Sequence, residues 1–106
     1  MSEVKHRNSS LQSAAKRTAK AATGPFSEPL GGWNIEAARL RGLLASSHLS
    51  SAQRAEAHMK AAILLSNVRQ YEREMCIALA GLPHHSLIDD LMKSYSRLAS
   101  QLEGVI

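Results

Sequence analysis

The residues best equipped for chemistry lie together in "ALAGLPHHSLIDD", residues 78–90, which holds Ser86, the adjacent His84 and His85, and the adjacent Asp89 and Asp90. These are the residue types of a hydrolase triad, in which a serine nucleophile needs an imidazole base that a carboxylate orients. Closeness in sequence does not bring three side chains to one point, and the same residues suit simpler roles. Ser86 can cap a helix N-terminus, and Asp89 and Asp90 place negative charge in the first turn, where the backbone dipole favours it. As consecutive helical residues the two aspartates point about 100° apart, which does not suit a facing acid/base pair. Two adjacent histidines cannot complete a metal's ligand set; no Cys or His follows them, and His48 and His58 lie far upstream. Cys76, inside the apolar run "EMCIALA", reads as a buried, inert thiol. The chain has no Gly-rich phosphate loop and no metal-binding helix motif. The expectation is a protein that is not an enzyme, with no catalytic, cofactor-binding or metal-binding residues.

The segment then reads as a junction between helices. Gly81 stands where a helix C-terminus favours a left-handed residue, Leu82 can fold back onto the last turn, and Pro83 prevents continuation.

Composition sets the class of fold these residues sit on. With 44% hydrophobic but only 4% aromatic residues, and Ala, Leu and Ser dominant, β-propensity is poor and the chain reads as all-α. At 106 residues it forms at most one domain with a small core, so a partner or self-association is expected to add burial. One cysteine excludes an intramolecular disulfide, and no apolar run approaches a membrane span. The N-terminus is charged where a secretory signal would be apolar, so a cytoplasmic protein with no membrane association is expected.

A composition break lies near Trp33. Residues 1–32 hold five Lys/Arg against two acids and end in "TGPFSEPLGG", which reads as a flexible basic arm and Pro/Gly linker. Residues 33–106 are nearly neutral and read as the helical domain. Its helices are expected over about 34–46, 51–80 and 86–104. Asn34 is placed to cap the first, which carries Trp33, Ala37, Leu40 and Leu44 along one face. Ser50 and Gln53 form a capping box for the second, a long central helix with Glu56 and Lys60 as an exposed i,i+4 pair. Its stripe is Leu64, Val68, Tyr71, Met75 and Ala78, widened by Leu65, Ile77 and Leu79. In the third helix Ile88, Leu91, Tyr95, Leu98, Leu102 and Val105 recur three and four apart, the a/d pattern of a coiled-coil seam, though for too few heptads to establish one. The short connection predicts an antiparallel helical hairpin of the second and third helices, bundle-like with the first. The helix lengths also allow an elongated, thin body, with the first and third helices end to end along the second.

"AEAHMKAA", residues 55–62, looks like the phosphorylated-histidine segment of histidine phosphotransfer domains, where an exposed histidine is followed on the same helix by lysine and glycine. Here Lys60 falls two positions after His58 instead of three, and Ala61 replaces the glycine. Both departures fall on the residues that matter, and the resemblance is set aside.

The function expected is interaction through apolar helix faces, as an adaptor, a small assembly subunit, or a chaperone-like or regulatory factor. Core or partner interface is assigned to Leu64, Val68, Tyr71, Met75, Ile88, Leu91, Tyr95, Leu98 and Leu102, with a protein partner or homo-oligomer implied. The alternative is nucleic-acid binding through the arm, with Lys5, Arg7, Lys16, Arg17 and Lys20 on phosphates. In that case deleting residues 1–24 removes binding and leaves helicity intact.

Overall fold

The computed structural model describes the backbone of residues 2–106 and the side chains of residues 14–106. Four helices follow one another: α1 (Ser2–Ser27), α2 (Leu30–Ala45), α3 (Ser51–Leu79) and α4 (Ser86–Glu103). Among the described residues there is no strand, and the helices pack against one another as an all-α bundle.

The spine is α3, whose 29 residues span about 43 Å. The capping box starts it as expected: the Gln53 amide donates to Ser50 Oγ at 3.1 Å, and the Ser50 amide donates to Gln53 Oε1 at 2.9 Å. Glu56 and Lys60 pair at 3.2 Å on its exposed side. After Leu79 the chain reverses, and α4 returns antiparallel. The buried stripe of α4, Ile88, Leu91, Tyr95, Leu98, Ala99 and Leu102, meets Leu64, Val68, Met75 and Leu79 of α3 in one core. At the far end of the hairpin Arg69 pairs with Glu72 on its own helix and with Glu103 at the end of α4.

The turn is built differently from the sequence expectation. No glycine among the described residues has a positive φ, so Gly81 is not a left-handed cap. Ala80 remains helical, the Leu82 amide donates to the Leu79 carbonyl at 3.1 Å, and half-buried Leu82 packs on the core. The cap of α4 is His85 rather than Ser86: its Nδ1 accepts from the Leu87 amide at 3.1 Å. An imidazole nitrogen in extended backbone at that position reaches the second helical amide, so Ser86 becomes the first helical residue.

The larger correction concerns the arm. Residues 2–27 are helix, and the Pro/Gly segment holds a two-residue turn between two helices rather than a linker. Pro29 keeps a helical backbone (φ −75°, ψ −15°), while the Glu28 amide bonds the Gly24 carbonyl at 3.0 Å and the Trp33 amide bonds the Pro29 carbonyl at 3.1 Å. A hydrogen-bonded turn thus joins the two helices, with proline removing one rung of the ladder between them. The alanines of "AAKRTAKAA" favour helix intrinsically, and Ala19, Thr23, Phe26 and Leu30, spaced four, three and four, dock it on the hairpin. Because α2 is entered from α1, Asn34 lies inside α2 and caps nothing; its Nδ2 donates to the Leu30 carbonyl at 2.9 Å. The stripe Trp33, Ala37, Leu40 and Leu44 faces the core as its spacing implied.

The packing order follows from these contacts. α1 runs alongside α4 in the same direction, with Ala19 near Ile88 and Phe26 at Tyr95. α2 runs antiparallel to α3, with Trp33 against Tyr71 and Leu43 near Ala57. Arg54 of α3 secures the end of α2 by donating to the Leu44 and Ser46 carbonyls, each at 3.1 Å. Thus α1 and α4 cover the C-terminal half of α3, and α2 covers its N-terminal half. The body is elongated, 70 × 23 × 17 Å.

Candidate interaction surface

Of the residues assigned to core or interface, Leu64, Val68, Met75, Ile88, Leu91, Tyr95, Leu98 and Leu102 are all buried within the chain itself. Tyr71 lies at the surface edge, its ring edge-on to Trp33 at 5.0 Å. Lys16, Arg17 and Lys20 are exposed on α1. The side chains of Lys5 and Arg7 lie outside the described residues.

The chemically equipped segment is occupied structurally. His84 Nε2 stands 3.1 Å from Asp89 Oδ2, and His85 is used as the cap. Among the described residues neither histidine hydrogen-bonds Ser86, and no group of three His, Cys, Asp or Glu side chains is placed to hold a metal. Cys76 is exposed, contrary to its expected burial, because it follows buried Met75 by one residue and so points about 100° away from the core. Ala78, placed in the stripe, and Ile77, expected to widen it, are likewise exposed.

Two polar arrangements shift proton affinities. Glu36 and Arg39 form a forked pair at 2.7 and 3.0 Å; the hydrogen bond between them holds the carboxyl below its ordinary range and raises the guanidinium. Both are solvent-exposed, where such pairs add little stability. The Tyr95 phenol is pushed up to about 12, chiefly by burial, with Tyr71 adding a smaller like-charge effect. Its hydroxyl donates to the Phe26 carbonyl at 2.6 Å, tying α4 to the end of α1.

What the fold leaves open is apolar. On α3, Met59 is 64% exposed, Ile63 57% and Ile77 80%. Each lies two residues from a buried member of the core stripe, which places it on the opposite side of the helix. Met59 and Ile77 are five full turns apart and so share that outer face. A shallow groove of about 420 Å³ beside it, between α3 and α4, is lined by Glu72, Arg73, Met75, Cys76, Ile77 and Met92. A larger groove of about 610 Å³ runs between α1 and α4, with Lys16 and Lys20 on one wall and Asp90 on the other. Sequence reasoning did not single out Met59 or Ile63 and counted Ile77 with the core stripe, because spacing alone does not say how many neighbours a helix has. Among the described residues no helix is long and apolar enough to cross a membrane. Comparison of the chain with known protein families, with curated proteins and with solved structures finds no match to any of them.

Proposed function

We propose that the protein is a non-enzymatic helical interaction module, binding a protein partner or a second copy through apolar helix faces that its own fold leaves uncovered. The observation that carries this reading is the outer face of α3, where Met59, Ile63 and Ile77 stand in solvent while the adjoining core stripe is closed. Met59 and Ile63 lie one turn apart, and large apolar side chains that adjoin on a helix face mark an association surface, whereas scattered ones are ordinary. The methionine suits a surface that repacks against its partner.

The test is light scattering during size-exclusion chromatography of the full chain and of Met59→Glu/Ile63→Glu. A wild-type mass above 11.5 kDa that falls to the monomer in the double variant, with helicity unchanged, supports the reading. A wild type whose mass the double variant does not alter removes this face as a self-association surface.

A second reading, phosphate-backbone binding, is favoured by the exposure of Lys16, Arg17 and Lys20 within about one turn of α1. It requires duplex or single-stranded nucleic acid to bind the full chain with an affinity that falls steeply with salt.

A further inference from the structure

The structure points to a second docking site, distinct from the outer face of α3: we infer that the groove between α1 and α4 seats an amphipathic helix of a partner protein, one edge of which carries acidic residues a turn apart. This rests on the interaction reading but on other residues, so Met59→Glu/Ile63→Glu leaves it untouched.

The groove has the proportions of a helix seat. Its α1 side runs from Lys16 to Ser27 and continues to Leu30 at the start of α2, and its α4 side runs from Leu87 to Ser94. The span from Lys16 to Leu30 corresponds to about 21 Å, four helical turns. Its floor is Leu30, Leu87 and Leu91, of which Leu30 and Leu91 are nearly buried already. Its rims are small: Thr23, Gly24 and Ser27 on one side and Ser94 on the other. A Cβ placed on Gly24 would meet nothing within 4 Å, so an incoming helix finds room close to the α1 backbone. α1, α3 and α4 are three members of a bundle here, and a helix laid in this groove makes the fourth, the arrangement by which bundles close.

Charge selects which helix. Lys16 and Lys20 stand one turn apart on the α1 wall, and Asp90 stands on the α4 wall. Among the described residues none of the three is in an ion pair. Carboxylates at i and i+4 on the incoming helix meet the two lysines, and a basic residue on its other edge meets Asp90. Opposite charges on the two walls fix which way the guest faces. The lining is mostly apolar, with Leu87 half-buried in it, which favours a protein helix over a phosphate backbone.

The experiment is selection on the full chain of a displayed library of amphipathic helices about 18 residues long, with Leu and Ala on one face and Glu, Lys or Ser varied along both edges. The expected pool carries Glu at two positions four apart on one edge. Lys16→Glu/Lys20→Glu should reverse that preference to Lys. Gly24→Leu, whose Cβ meets nothing within 4 Å and which gains helix propensity, should fill the groove and weaken the pool about tenfold or more with unchanged circular dichroism. The inference is overturned by a pool without Glu enrichment, by one that Gly24→Leu still binds equally, or by a short DNA duplex that binds through Lys16 and Lys20 and excludes the pool.

Discussion

The hydroxyl of Tyr95 donates to the backbone carbonyl of Phe26 at 2.6 Å, across 69 residues of chain. Phe26 lies just before the turn at Pro29, where the helical ladder loses a rung, and Tyr95 is the largest fully buried side chain. Its ring also meets Trp33 edge-on at 6.0 Å, and Trp33 in turn meets Tyr71. One side chain thus joins α4 to the end of α1 and the start of α2.

Tyr95→Phe keeps the ring and removes the donor, leaving the Phe26 carbonyl without this partner. The bond is partly buried, so its loss should cost about 1 kcal/mol, the usual net contribution of a hydrogen bond. Urea unfolding should show a lower midpoint with an unchanged slope, since the surface exposed on unfolding is the same. An unchanged midpoint would mean the bond contributes nothing net.

The same residue sets an alkaline limit. Its folded pKa of about 12 lies above the ordinary 10.0, so the folded state holds its proton more tightly than the unfolded chain does. The resulting stability is fully present below pH 10 and is lost as pH rises through 12, where the unfolded chain has already ionised. Unfolding measured from pH 8 to 12 should fall more steeply in the wild type than in Tyr95→Phe. Parallel curves would show that Tyr95 does not titrate differently in the two states.

The hairpin was legible in the sequence because its signals are local and agree with one another: the Ser50/Gln53 box, the break at Pro83, and the three-four spacing from Ile88 to Leu102. The helix at residues 2–27 was hidden because the two prolines and three glycines of residues 23–32 usually punctuate, whereas Ala19, Thr23 and Phe26 dock it on the hairpin. Cap identity at His85 was hidden because an imidazole is seldom the capping acceptor. The surface was least legible. Ile77 and Leu79 are equally apolar in sequence, yet one is 80% exposed and the other buried, and only the placement of α4 and α1 separates them.

Leu98 is 1% exposed at the centre of the seam, with Leu91 two turns earlier. Leu98→Asp buries an unpaired carboxylate and should abolish the folded state, read as loss of far-ultraviolet helicity and of a cooperative transition. Leu98→Ala should remain folded and lose about 2 to 5 kcal/mol, the usual cost of a core cavity. A folded, cooperative Leu98→Asp would mean that this seam opens to solvent.

The most direct test of the fold itself lies in the former arm. If residues 1–32 were an unstructured tail, no single charge there would affect stability, and deletion of residues 1–24 would be neutral. In the structure Ala19 is 3% exposed against the hairpin, while Ala21, two residues on, faces solvent. Ala19→Asp should therefore destabilise the whole domain by several kcal/mol, of the order expected for burying an unpaired charge. Ala21→Asp should cost only the difference in helix propensity, about 0.7 kcal/mol or less. Deleting residues 1–24 should lower the unfolding midpoint, because Ile88 and Leu91 lose the helix that covers them. Equal, small effects from both substitutions would detach α1 from the bundle and remove the wall on which the α1–α4 groove depends.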